Sequence, residues 1–232
     1  MSGSTVTRDD LDQVSLPAST GTYIPVAHHS MLSTTLSSLS AAGFEVSNDT
    51  HVLDKDGARY FGVIDLNDSV GESETLTVGI RNSHDKAFSM GFCIGTRTVV
   101  CSNLMFASDH VIGSRHTKKG VGRYIDRMVE AIASLKNFVE VQASLLDILK
   151  KTLVTDHEAE SLILRSFEQG IIGHRQLKPV IEEWRNPSHE EHRSSTRYDL
   201  MQAFTQTMHD RFTASPIKAS RQTIELHKFL AV

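Results

Sequence analysis

The spacing of apolar residues changes near Gly120, and that change restricts the fold more than any motif does. Before it, "ETLTVGIR" (residues 74–81) alternates strictly, with Leu76, Val78 and Ile80 on one face and Thr75, Thr77 and Arg81 on the other. "AFSMGFCIGTRTVVCSN" continues the pattern with Phe88, Met90, Phe92 and Ile94. "FEVSND" and "HVLDKDGARYFGVIDL" are rich in β-branched and aromatic residues, with a turn at Lys55-Asp56-Gly57. These runs predict three or four antiparallel strands between residues 44 and 102. After Gly120 the apolar positions recur at four and three: Val121, Ile125, Met128, Ile132, Leu135, Val139, then Leu146, Leu149 and Leu153, with Gln142 as the one polar member. That spacing predicts a single helix of about 50 Å.

The remaining segments fit around this division. "AHHSMLSTTLSSLSAAG" puts Met31, Leu32, Leu36 and Leu39 on one helical face, with Gly43 as the stop. Thr155 with Glu158 forms a capping-box pattern for a helix ending near Gly170, and Pro179 kinks or delimits a short helix in "RQLKPVIEEW". "TRYDLMQAFTQTMHDRF" and "SPIKASRQTIELHKFL" complete the helices, the latter with Ser215 as cap and Pro216 at its first position. Residues 1–21 are polar and read as a poorly ordered tail. The expectation is an α+β protein: an antiparallel sheet of three or four strands packed by a long helix, with a helical C-terminal part. Residues 22–120 form the mixed part and 121–232 the helical part, in one continuous domain.

The chemistry is less distinct. No run of about 18 apolar residues suits a membrane span, and no signal pattern opens the chain, so the cytoplasm of a bacterial host cell is expected. The two cysteines, Cys93 and Cys101, are separated by seven residues. On one unbroken strand they share a face about 26 Å apart, which suits buried structural thiols and neither a redox pair nor a metal knuckle. Twelve histidines, including His189 and His192 in "HEEH", show no metal-ligating spacing. His28 and His29 read as a helix-capping region. No catalytic motif, metal or cofactor is expected.

One stretch carries a physical signal. "GSRHTKKGVGRYIDR" (residues 113–127) holds Arg115, Lys118, Lys119, Arg123 and Arg127 against Asp126 alone. It is net +4 in a chain of net −4, so the remainder is −8. Gly120 and Gly122 stand where unpaired amides at the positive end of a helix dipole make a phosphate cradle. Arg81 and Arg97, facing away from the large apolar residues of their strands, extend the track across an exposed sheet face, with Tyr60 or Tyr124 for base stacking. A solvated basic loop is the alternative.

The order "YIPVAHHSML…AAGFEV", "VGIRNSHDKAFSMGFCIGTRTVVCSN", "RHT" and "YDLMQAFTQTM" resembles a family known only as a domain of unknown function, whose members occur in phages, prophages and plasmid-borne elements. "RNSHDK", "VCSN" and "RHT" are its most specific pieces, and Leu104 replaces a glycine that many relatives carry after "CSN". The resemblance implies a mobile-element origin and no particular activity. A helix, an antiparallel sheet and a long helix with a basic approach are also similar in topology to the RecT, Red-beta and Erf annealing proteins, which assemble into rings or filaments and hold DNA between sheet and helix. No motif of theirs matches, so this is analogy of fold alone.

The functional expectation is sequence-tolerant nucleic-acid binding by a homo-oligomer, with single-stranded DNA as partner and no catalytic residue. The nucleic-acid-binding residues expected are Arg81, Arg97, Arg115, Lys118, Lys119, Gly120, Gly122, Arg123 and Arg127. Two other classes stay open: an interaction protein that inhibits a host factor, and a metal-assisted hydrolase.

Overall fold

The computed structural model describes residues 3–54, 56–72, 74–98, 104–106, 112–208 and 216–230. Alternating β-branched and aromatic residues build four long strands, β2 (Val46–Asp54), β3 (Arg59–Val70), β4 (Glu74–Ser83) and β5 (Met90–Thr98). They pair antiparallel as a meander, in registers such as Phe61 with Arg81 and Gly79 with Cys93. Three short strands enlarge the sheet: β1 (Gly3–Val6) pairs with β2, while β6 (Leu104–Phe106) and β7 (Ile112–Ser114) pair with different ends of β5. The sheet therefore has seven strands among the described residues, not three or four. The added strands are only three or four residues long, too short for an alternation to stand out in sequence.

The N-terminal segment is not a tail. Helix α1 (Arg8–Asp12) follows β1, opened by a reciprocal Thr7–Asp10 capping box. Leu11 is fully buried, and Arg8 pairs with Asp49 at 2.5 Å. A single deep leucine and an ion pair to β2 anchor a segment whose composition is otherwise polar.

Helix α2 (His28–Ala41) ends before Gly43, whose φ of 85° is the left-handed turn expected there. The long helix expected from Val121 is two helices, α3 (Lys118–Ala133) and α4 (Leu135–Lys151). Ser134 divides them: its backbone moves off the α-helical values (φ −86°, ψ −3°), its amide is shared between the Glu130 and Ala131 carbonyls at 3.2 and 3.1 Å, and its Oγ donates to the Ala131 carbonyl at 2.7 Å. The buried row runs Tyr124, Met128, Ile132, Leu135, Phe138, Gln142, Leu146 and Leu149. Ile125 and Leu153 of the expected seam are exposed instead, so the helices follow their own sheet rather than a strict heptad. Helices α5 (Asp156–Glu168), α6 (His174–Arg185, with Pro179 inside it) and α7 (Arg197–Gln206) complete this layer. The Thr155–Glu158 capping box is present. Helix α8 (Pro216–Leu230) is last; its expected cap Ser215 lies outside the described residues, as does Lys55 of the expected turn.

The sheet is covered on both faces. Tyr60, Ile64, Val78, Ile80, Phe92 and Ile94 face a large core shared with α2, α3, α4 and α7. The opposite face carries Phe61, Val63, Cys93, Leu104 and Phe106, packed against Ile224 of α8. Cys93 is buried there as expected of a structural thiol, and burial pushes it up to about 12; Cys101 lies outside the described residues. No helix among the described residues is long and apolar enough to cross a membrane.

Candidate functional site

Three segments distant in sequence meet where β4 ends and α2 and α3 begin. "RNSHDK" supplies Asn82 and His84, "AHHS" supplies His28, and "RHT" supplies His116. All four side chains are buried. Asn82 stands at the centre: its Nδ2 donates to the Val26 carbonyl at 2.6 Å and to His28 Nδ1 at 3.0 Å, and its Oδ1 accepts from His116 Nε2 at 2.7 Å. His28 Nε2 donates to the Gly57 carbonyl at 2.9 Å, which fixes the neutral tautomer whose Nδ1 can accept. His84 Nε2 donates to the Val26 carbonyl at 3.0 Å, and its ring stacks on His28 at 3.9 Å and 5°.

This environment opposes protonation. Burial, then the neighbouring His84, pushes His28 down to about 3. Burial also lowers His84, and burial followed by His84 lowers His116. Three neutral imidazoles bound to fixed partners make a clasp rather than an acid–base centre. Among the described residues, no three histidine, cysteine or carboxylate groups converge to hold a metal ion. His28 is thus not a side-chain cap: Ala27 holds the N-cap position of α2, with no side-chain hydrogen bond to the helix start. A second buried polar group ties β4 to α7: Glu74 accepts from Tyr198 of "YDLMQ" and from Thr98 at 3.0 Å, and burial raises its carboxyl.

The clasp sets the direction of α3. The His116 carbonyl accepts from Ile24 at 2.8 Å while its ring holds Asn82. On either side of it stand Arg115, exposed, and Thr117, whose Oγ1 caps the helix by accepting from the Gly120 amide at 3.0 Å. Lys118, Lys119, Arg123 and Arg127 are exposed as well. Lys119, Arg123 and Arg127 recur every four residues and so form one row, about 12 Å long along the helix. Among the described residues none of these five cations meets a carboxylate at ion-pair distance.

The two glycines are not a phosphate cradle. Gly120 is buried, and a Cβ there would sit 2.1 Å from the Arg115 carbonyl oxygen, so it is a packing glycine whose amide is already capped. Gly122 is exposed with open space around it. Gly122→Ala is expected to stabilise the protein by about 0.5–1 kcal/mol in denaturant unfolding, through helix propensity. Ligand affinity at this helix start should not change; a loss of affinity would restore the cradle.

The expected sheet track also differs. Arg81 and Arg97 do share the face away from the main core, but α8 packs on that face. Arg97 Nε is bound to Asp65 at 2.9 Å, so its charge is neutralised within the fold. Arg81 lies beneath α8 on the glycine of the neighbouring strand, with Phe88 5.7 Å from its guanidinium. Tyr60 and Tyr124 are buried and cannot stack on bases: their hydroxyls meet His51 at 3.0 Å and the Gly91 carbonyl at 3.4 Å. The clasp itself had one sequence signal, the "RNSHDK" and "RHT" segments, but nothing in their spacing brings Asn82 to His28 and His116.

No curated protein and no solved structure matches the chain. A family model does match residues 16–228, nearly the whole length, and the segments that build the clasp lie within it. The chain therefore belongs to the family described as Domain of unknown function (DUF932).

Proposed function

We propose that this protein binds nucleic acid through the start of α3, without regard to sequence, and that its partner is single-stranded DNA. The observation that carries the reading is the group of five exposed, carboxylate-free cations, Arg115, Lys118, Lys119, Arg123 and Arg127, on a helix start held by buried hydrogen bonds. A rigid mount fixes the backbone beneath the charges, so no loop has to be ordered on binding. The patch is narrow and the rest of the chain is net −8, which favours a thin strand over a wide duplex. With Tyr60 and Tyr124 buried, binding rests on phosphates rather than on base stacking, so sequence tolerance follows. Annealing or protection of DNA in a mobile element, by a homo-oligomer, belongs to the same proposal. Exposed Val129, Val141 and Ile148 on the outer side of α3 and α4 support the oligomer.

The test is Lys118→Ala with Lys119→Ala. If each lysine neutralises one phosphate, the slope of log affinity against log salt on single-stranded DNA should shrink by about 0.7 per lysine removed. The fall in affinity should be similar for all sequences, and stability should stay within about 0.5 kcal/mol of the parent. Unchanged affinity and slope in the double variant would remove α3 from the interface.

A further inference from the structure

A small cavity of about 100 Å³ lies between α8 and the sheet, lined in part by Arg81, Arg221, Cys93, Phe92 and Ile224. Arg81 reaches it because its cross-strand neighbour is Gly91: a Cβ there would come within 2.6 Å of Arg81 Nε. Among the described residues no carboxylate pairs with Arg81 or with Arg221. The Cys93 thiol, held up at about 12 by burial, stays protonated and adds no negative charge. Burial and the nearby Arg221 both depress Arg81 below the usual arginine value. Arg81 is half-buried against apolar walls with no counter-charge from the fold, which is costly to keep, while Arg221 is exposed and stands at the rim of the same cavity.

We propose that Arg81 and Arg221 form a receptor for one phosphomonoester group. Guanidinium forks match the oxygens of a phosphate, and a phosphomonoester supplies close to two negative charges for two cations. The cavity has room for one such group and not for a backbone passing through it, which suits a terminal phosphate. This deepens the nucleic-acid reading and rests on it for one source, the phosphorylated end of a strand; a free phosphomonoester is the other.

The experiment compares wild type, Arg81→Met and Arg221→Gln. Thermal melting is followed in inorganic phosphate and in chloride at matched ionic strength. Anisotropy then reads binding of oligonucleotides that carry a terminal phosphate or a terminal hydroxyl. Phosphate should raise the melting temperature of wild type and not of either variant. In chloride, Arg81→Met should melt at or above wild type, since its stem still covers Gly91 while the unpaired charge is gone. A phosphorylated strand should bind wild type about tenfold tighter than a hydroxyl-ended one, and both variants should lose that preference. Phosphate stabilisation without an end preference supports the receptor and assigns it to a free phosphomonoester. An end preference that survives Lys118→Ala with Lys119→Ala supports the pocket even if the α3 reading fails. No phosphate-specific stabilisation of wild type, or stabilisation retained in both variants, overturns the receptor.

Discussion

Asn82→Ala is expected to destabilise the protein by about 3–5 kcal/mol. The side chain is fully buried and joins three segments, through the Val26 carbonyl, His28 Nδ1 and His116 Nε2. Truncation leaves one buried donor and two buried acceptors short of a partner, each at a cost of about 1–3 kcal/mol; of these, the Val26 carbonyl keeps His84. For a chain of this size the melting temperature should fall by about 10 °C. Because His116 stands beside Arg115 at the start of α3, the variant should also lose affinity for any ligand of the basic row, even under conditions where it remains folded. Denaturant unfolding checks the first statement. A loss under about 1 kcal/mol would mean that water replaces Asn82 readily and that the clasp holds little.

The same histidines make the fold acid-labile. Their folded-state values lie below the unfolded value of 6.5, so below that pH the unfolded chain binds more protons than the folded one. Their contribution is complete above about pH 6.5 and is lost as the pH falls, for His28 over the whole interval down to about 3. His28 alone accounts for about 4 kcal/mol across that window. His28, neutral throughout, contributes about 1 kcal/mol between about pH 7.5 and about pH 5.5, and His84 and His116 add to it in the same direction. His51 and His192, also depressed by burial, act in the same direction. Glu74 opposes them: its raised carboxyl contributes stability at low pH that is lost as the pH rises through its folded value. The measurement is therefore unfolding at those two pH values in a Glu74→Gln background, where a drop of at least about 1 kcal/mol is expected. Equal stability at both would show that the buried imidazoles are protonated without cost.

The change of apolar period near Gly120 was legible because it depends only on which residues alternate and which recur every three or four. The same is true of the Thr155 cap and of the left-handed Gly43 and Gly170. Local backbone chemistry decides these features, and the sequence states it directly. The amphipathic strands likewise showed that Arg81 and Arg97 turn away from the main core. Charge composition alone located the basic segment at the start of α3.

What the sequence could not state depends on which elements meet. The helical pattern running on from Val121 did not reveal the interruption at Ser134, because a local change of backbone there leaves the three-and-four recurrence of apolar residues intact. The alternation of β4 and β5 could not show that α8 would close the face carrying Arg81, nor that Asp65 of β3 would neutralise Arg97. The clasp is the clearest case. His28, Asn82, His84 and His116 are ordinary in spacing, and each imidazole alone is compatible with solvent, metal or catalysis. Their role follows only when β4, α2 and α3 converge and burial removes water as a competing partner. By itself the sequence determined the local periods, the caps and the sign of the charge at the start of α3; the tertiary structure decided which polar groups lost water and had to satisfy one another.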